Sequence, residues 1–178
     1  MGLVAVLAVA ACTSKPTPGG TTAPTASLRA PSVSASPVNP DAAQVQLALA
    51  AYRNGLNAFV AASNSGSTDT TEMSKYVTGS ALQVLSSGLA RQHAQGVVSK
   101  GTPGIDPPQV TEIAPATAPT TVKVSGCLDG TNWLLYKSDG QLQDNTPGGR
   151  HAVTAQIDKT DGVWKVSGIA IQGVGTCT

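Results

Sequence analysis

Few residues of this chain have side chains suited to catalysis, and those few are scattered. The two histidines are His93, near the end of a predicted helix, and His151, at the start of a predicted strand. Because alternate residues of a strand face the same side, His151 is expected to point inward together with Val153 and Ala155. His151 is therefore the better candidate for a general base. A half-buried histidine without a catalytic role is the simpler interpretation of each.

The carboxylates do not form a recognisable catalytic set with either histidine. Asp129, Asp139 and Asp161 fall in predicted turns, where turn chemistry alone accounts for them. The sequence contains no paired-carboxylate spacing, no GxSxG motif and no phosphate-binding loop. It also lacks CxxC and HExxH spacings, so we expect no metal site and no cofactor. This inventory favours a non-catalytic protein.

Two tryptophans are the aromatic residues most suited to ligand stacking. Trp164 is flanked by alternating apolar residues and is expected to pack in the core. Trp133 lies beside a predicted turn, where either core packing or stacking on a sugar ring is compatible with the sequence. The formal net charge is +1 and only 12% of the residues are charged. Since nucleic-acid-binding domains carry a clustered basic face, no nucleic-acid partner is expected.

The N-terminal cysteine indicates where the protein is located. Cys12 follows the apolar run 2–11 and precedes a segment in which more than half of the residues are Pro, Ser or Thr. The run is too short to cross a bilayer, which takes ~20 residues in a helix, but it suits a secretory signal peptide. The exit Val9-Ala10-Ala11-Cys12 resembles a bacterial lipobox. This resemblance implies a diacylglyceryl group on Cys12 and cleavage just before it.

The lipobox divides the chain into three parts. Residues 1–11 are the predicted signal peptide, truncated at its start because no Lys or Arg precedes the apolar run. Residues 12–40 are the lipidated Cys12 and a disordered tether, and residues 41–178 form the predicted folded domain. The expected location is the outer face of the cytoplasmic membrane, with the membrane contacted through the lipid.

The other two cysteines are expected to form a disulfide. If Cys12 carries lipid, an odd count of three leaves Cys127 and Cys177 as a pair. Oxidising conditions outside the cytoplasm favour this bond.

Hydrophobic periodicity predicts helices in the first part of the domain. Apolar residues recur at spacings of four and three between Val45 and Phe59, which predicts a long helix beginning at Asp41. A short second helix is predicted over 71–77 and a third over 80–95.

After Gly96 the period changes to two, which indicates strands. Asp129 and Gly130 form a hairpin signal, so the strands on either side of them are expected to pair. A change of parity at Gly168 predicts a β-bulge that bends the last strand. The predicted strands cover 97–98, 109–114, 120–128, 132–137, 151–159 and 163–174. This order predicts one α+β domain, with three N-terminal helices packed on a curved, bulged antiparallel sheet.

The order of elements is similar to the cone-shaped nuclear transport factor 2-like (SnoaL-like) fold. Over 41–177 the chain resembles small secreted lipoproteins of actinobacteria with no agreed activity. The segments that carry this resemblance are Gln95-Gly96, Gly101-Thr102-Pro103, Val124-Ser125-Gly126-Cys127-Leu128-Asp129, Asp161-Gly162-Val163-Trp164-Lys165-Val166 and Gly175-Thr176-Cys177. The resemblance implies a cell-surface location and a cone that can hold a pocket between sheet and long helix. Several relatives of that fold are enzymes with an Asp/His pair in the pocket.

Three functions are compatible with these observations. The favoured one is a lipid-anchored accessory or ligand-binding lipoprotein without catalytic activity. The second is a cone-fold enzyme with an Asp/His acid–base site that includes His151. The third is a cell-wall interaction module, with Trp133 on the binding face and a cell-wall or protein partner. A cone filled by Tyr52, Phe59 and Trp164 would argue against the enzyme.

Overall fold

The computed structural model describes residues 40–144, 146 and 148–177. The predicted signal peptide, Cys12 and the tether up to residue 39 lie outside these residues and stay predictions. The described residues form a single α+β domain. Its helices and strands are α1 (Pro40–Ser65), α2 (Gly79–Ala94), β1 (Val97–Lys100), β2 (Gly104–Ile105), β3 (Gln109–Ala114), β4 (Thr121–Asp129), β5 (Leu134–Lys137), β6 (Arg150–Thr160) and β7 (Val163–Val174). No helix of the described part is long and apolar enough to cross a membrane.

The main sheet is antiparallel and curled. Strands β2 and β3 pair with successive parts of β4 and share one edge of the sheet, and β6 and β7 follow on the other side of β4. Gln156 pairs with Gly168 but Ile157 pairs with Val166, so Ser167 is an extra residue on β7. This confirms the predicted bulge, which increases the bend of the strand. A separate two-stranded sheet joins β1 and β5.

The core lies between the helices and the inner face of the curled sheet. The predicted apolar stripe of α1 is buried there, and Tyr52, Phe59 and Trp164 are only 1%, 8% and 5% exposed. Leucines of both helices complete the packing, so the middle of the domain is filled. Burial raises the pKa of Tyr52 to about 12, which keeps its hydroxyl neutral inside this core.

The prediction of three helices was wrong, because residues 71–77 do not form an α-helix. Only one 3₁₀ turn, Met73–Lys75, is present there. A helix of seven residues forms too few hydrogen bonds to offset the free-energy cost of its nucleation. The backbone of this segment forms hydrogen bonds with the sheet instead. The Val166 amide donates to the Tyr76 carbonyl, and the Thr78 amide donates to the Val166 carbonyl, both at 2.8 Å. These bonds extend the chain and join it to β7.

The predicted hairpin at Asp129-Gly130 was also wrong. β5 pairs with β1, and β4 has its two edges occupied by β2/β3 and by β6. The Asp129 carboxylate accepts the Thr131 amide at 3.0 Å, and the Gly130 amide donates to Gly149. The turn signal is therefore real, but the chain leaves the sheet after it. Turn chemistry reports a local bend and does not specify which strands pair.

Cys127 of β4 and Cys177, beyond the end of β7, lie at disulfide distance, with their Cα atoms 5.9 Å apart. Their side chains are on the outer face of the sheet, because Cys127 alternates with the buried residue Leu128. The link joins the C-terminal segment to the centre of the sheet across a sequence separation of 50 residues.

We expect the protein, when produced under oxidising conditions, to contain no free thiol at Cys127 or Cys177. In the chain-entropy model a loop of this length contributes about 4 kcal/mol. Reduction should therefore lower the melting temperature. The far-ultraviolet circular dichroism spectrum at 25 °C should remain that of the folded protein, because the helices have their own apolar core. The measurement is intact mass after alkylation, with and without prior reduction. Alkylation of both cysteines in unreduced protein would contradict the pairing.

Candidate functional site

A cleft of about 430 Å³ opens between the helices and one end of the inner sheet face. This volume is within the range of small-molecule sites, ~300–1,000 Å³. One wall is apolar and consists of Phe59, Leu128, Trp133 and Ile171. The other wall is the C-terminal half of α2. The cleft thus lies beside the filled core and does not replace it.

The polar residues of the cleft come mainly from one face of α2. Gly88, Arg91, Gln92 and the C-cap residue Gln95 line it, and the last three follow Gly88 by three, four and seven residues. At 3.6 residues per turn this spacing places them on one side of the helix. Opposite them lies His151. The described lining contains no Asp or Glu.

His151 lies where its strand parity predicts, half-buried on the inner face of the sheet. It pairs with Leu128 on β4, and its Nδ1 is 2.7 Å from the Gln172 carbonyl oxygen. A carbonyl oxygen can only accept, so Nδ1 carries the hydrogen and donates it. In the tautomer that carries only this hydrogen, Nε2 is an acceptor.

Asp129, the last residue of β4, forms its contacts with residues other than His151. Hydrogen bonds from Thr131, with a smaller contribution from Arg150, hold the pKa of Asp129 below its usual range. Arg150 also contacts Asp106 at 2.7 Å, so the three charged groups form one ion-pair cluster on the outer side of the strands. Within the described residues, no hydrogen bond joins a carboxylate to His151.

Trp133 lines the cleft and is also held in place. Its Nε1 donates to the Asn64 side-chain oxygen at 2.8 Å, and the Asn64 amide nitrogen donates to the Gly101 carbonyl at 2.9 Å. The indole meets Phe59 edge-on, with 5.9 Å between ring centroids. Gly101 has φ +100°, and a Cβ there would collide with the Asn132 carbonyl, so only glycine fits this turn. The hydrogen bond to Asn64 and the ring contact with Phe59 therefore fix the orientation of Trp133.

A buried hydrogen-bond ring orients Gln92. The Ser63 hydroxyl lies 2.7 Å from the Gln92 side-chain oxygen and 2.7 Å from the Ser99 hydroxyl. The Gln92 amide nitrogen lies 3.4 Å from Ser99. Both serines are almost fully buried, at 0% and 2% exposure. Because one donor from each residue closes the ring, both buried hydroxyls are satisfied, and α1, α2 and β1 are tied together beside the cleft.

Two glycines occur inside helices for opposite reasons. A Cβ on Gly55 of α1 would lie 2.8 Å from the buried Val77 Cγ2, so this glycine permits close packing. A Cβ on Gly88 of α2 would meet only Phe59 ring atoms at 3.8 and 3.9 Å, which is ordinary contact. Gly88 costs about 0.5–1 kcal/mol relative to alanine without a packing reason. The absence of a side chain at Gly88 leaves space in the cleft beside Phe59.

The other predicted positions lie away from the cleft or outside the described residues. Cys12 is outside them, and His93 is exposed on α2. Cys127 and Cys177 line a separate groove of about 350 Å³ on the outer face. Among the described residues, no group of three or more His, Cys, Asp or Glu side chains could hold a metal ion. The structure thus brings His151 and Trp133 together in one cleft.

Sequence reasoning missed the contribution of α2 to this cleft. A signal was present: Gly88, Arg91 and Gln92 form a polar stripe beside the apolar one that contains Leu85 and Leu89. A helical glycine within such a stripe indicates a packing or functional cause.

Comparisons with known proteins agree with the fold. Neither a protein-family model nor a curated protein matches the chain. Among solved structures, the chain is similar to the intermembrane space region of chloroplast protein ARC6, with a TM-score of 0.50 and 11% sequence identity. The likeness covers 72% of this chain and 95% of that chain. At such low identity it shows a shared fold alone.

The contrast between the two helical glycines is directly testable by thermal or urea unfolding. Gly88→Ala should stabilise the domain by about 0.5–1 kcal/mol, since the new methyl gains helix propensity and meets no obstacle. Gly55→Ala should destabilise it, because overpacking of a tight core costs about 1–3 kcal/mol. A destabilising Gly88→Ala would mean that the space beside Phe59 is not available.

Proposed function

We propose that this protein is an extracytoplasmic, lipid-anchored, ligand-binding lipoprotein without catalytic activity, and that its ligand occupies the cleft. The observation that carries the proposal is the coincidence of three features at one place. An apolar wall whose Trp133 is held by Asn64, the Gln92 side chain oriented by Ser63, and a helical glycine that leaves room all meet there. Functional sites are where a chain departs from local stability rules.

The proposal includes the finer fold and the location. The curled sheet and the helices across it are taken as a nuclear transport factor 2-like cone, which the order of elements supports. The lipobox at Cys12, the tether that follows it and the paired Cys127 and Cys177 support an oxidising location outside the cytoplasm.

The two alternatives gain less support from the geometry. An Asp/His acid–base site would need a carboxylate near His151, and the nearest acid in the strand register, Asp129, is committed to Thr131 and Arg150. A cell-wall module that stacks sugars would need an open aromatic face, and Trp133 is turned into the cleft with its indole N–H bonded to Asn64. Binding to purified peptidoglycan that does not depend on the cleft would favour the module.

Ligand binding can be tested with the uncharged fluorescent probe N-phenyl-1-naphthylamine. The full chain should carry Cys12→Ser, so that no acyl group competes for the cleft. We expect the probe to bind this chain with enhanced fluorescence, and Gly88→Leu to weaken binding at least tenfold because the new side chain fills the space beside Phe59.

Ser87→Leu is the matched control, since it adds the same side chain to an exposed position of the same helix. It should leave probe binding unchanged. Circular dichroism of each variant establishes that it is folded. Equal probe binding by Gly88→Leu and by the parent would refute the assignment of the cleft as the ligand site.

The anchor is tested independently. Cells producing the chain with its native leader should incorporate labelled fatty acid into it, and Cys12→Ala should abolish both the label and the membrane association. Since no described helix can span a bilayer, the lipid is the expected attachment. Membrane association that persists in Cys12→Ala would exclude it.

A further inference from the structure

The apolar wall of the cleft fits the body of a small hydrophobic molecule. Phe59 and Trp133 contribute two aromatic rings at an angle of 77°, and Leu128 and Ile171 contribute branched aliphatic groups from the sheet. The Trp133 indole N–H is already bonded to Asn64, so the ring offers apolar surface and not a hydrogen-bond donor. A ring system or short acyl chain would bury its surface here.

The polar side of the cleft has one sign of charge. Arg91 lies on the cleft side of α2, is exposed, and its guanidinium forms no ion pair or hydrogen bond with another described residue. No carboxylate of the described lining balances it. An anionic group at this position would gain a charge-assisted hydrogen bond, whereas a cation would meet an uncompensated positive charge.

Some other cations of the domain have carboxylate partners. Arg150 is paired with Asp106 and Asp129, and Lys123 is paired with Glu112. Those contacts hold strands together. The guanidinium of Arg91 connects no elements. Its place in the last turn of α2 suits the helix dipole, and its charge has no carboxylate partner among the described residues.

We infer that the ligand is an amphipathic anion, with an apolar body of one or two rings or a short acyl chain and a carboxylate, phosphate or sulfonate head. The body lies against Phe59 and Trp133, and the head is bound by Arg91. Gln92 supplies a further amide N–H, since its side chain is fixed by Ser63 and Ser99 with one amide hydrogen to spare. This inference rests on the proposed ligand-binding function.

The test uses three probes with one naphthalene body: 2-naphthoate, 2-naphthalenemethanol and 2-naphthylmethylammonium. Calorimetric titration into the full chain with Cys12→Ser, at low salt, should give an affinity for naphthoate about tenfold above that for the alcohol. The ammonium should bind more weakly still. Raising the salt concentration should reduce the preference for naphthoate, because the rim of the cleft is exposed to solvent.

Arg91→Gln should lower the affinity for naphthoate to that for the alcohol and leave the alcohol unchanged. Arg53→Gln is the matched control, because Arg53 is an exposed arginine of α1 that does not line the cleft. It should change neither affinity. A loss of naphthoate binding in both variants would assign the effect to net charge and overturn the role of Arg91.

The outcomes separate this inference from the proposed function. If the alcohol or the ammonium binds as tightly as naphthoate and Gly88→Leu abolishes all binding, the cleft is a ligand site and the anion preference is wrong. If no probe binds, including the uncharged naphthylamine, the proposed function itself fails. Phosphatidylglycerol vesicles form the last arm: binding that Arg91→Gln removes identifies a membrane-lipid head as the anion, and its absence identifies a free anion.

Discussion

The close approach of α1 to the chain around Val77 is the constraint on which the rest of the domain depends. Gly55 leaves no room for a Cβ beside Val77, and Val77 is joined to Val166 of β7 through the hydrogen bonds of its neighbours. The helix thus packs closely at Gly55 against Val77, which is joined to the last strand. One turn later Phe59 reaches α2 and Trp133, and the cleft opens there.

Local patterns in the sequence predicted the parts of the fold that depend on neighbours in the chain. The stripe on α1, the parity change at Gly168 and the inward parity of His151 are all of this kind, because period and alternation are properties of short segments. The partner of β5 and the extended path through Val77 are not. Both depend on strand edges that are occupied by distant parts of the chain, and no pattern within β5 records that.

The sequence likewise predicted single residues of the candidate site but not their arrangement. Trp133 and His151 were identifiable singly, from a turn and from a strand parity, but nothing in the sequence relates them to the face of α2 that carries Arg91. Gly88 was the strongest unused signal, since a helical glycine lowers stability whatever surrounds it. The sequence alone does not explain this glycine, because Gly55 lowers helix stability in the same way. The structure separates the two: Gly55 permits close packing against Val77, and Gly88 leaves space in the cleft.

The disulfide and the cleft use opposite faces of the same strand ends. Cys127 points outward and is linked to Cys177, while its neighbour Leu128 points inward to the cleft beside His151. Pre-organised sites need walls whose own positions are fixed. The covalent link ties the segment after β7 to the outer face of β4, a strand that is paired on both sides. A bond placed there supports the inner wall without occupying any of its space, which a larger core residue could not do.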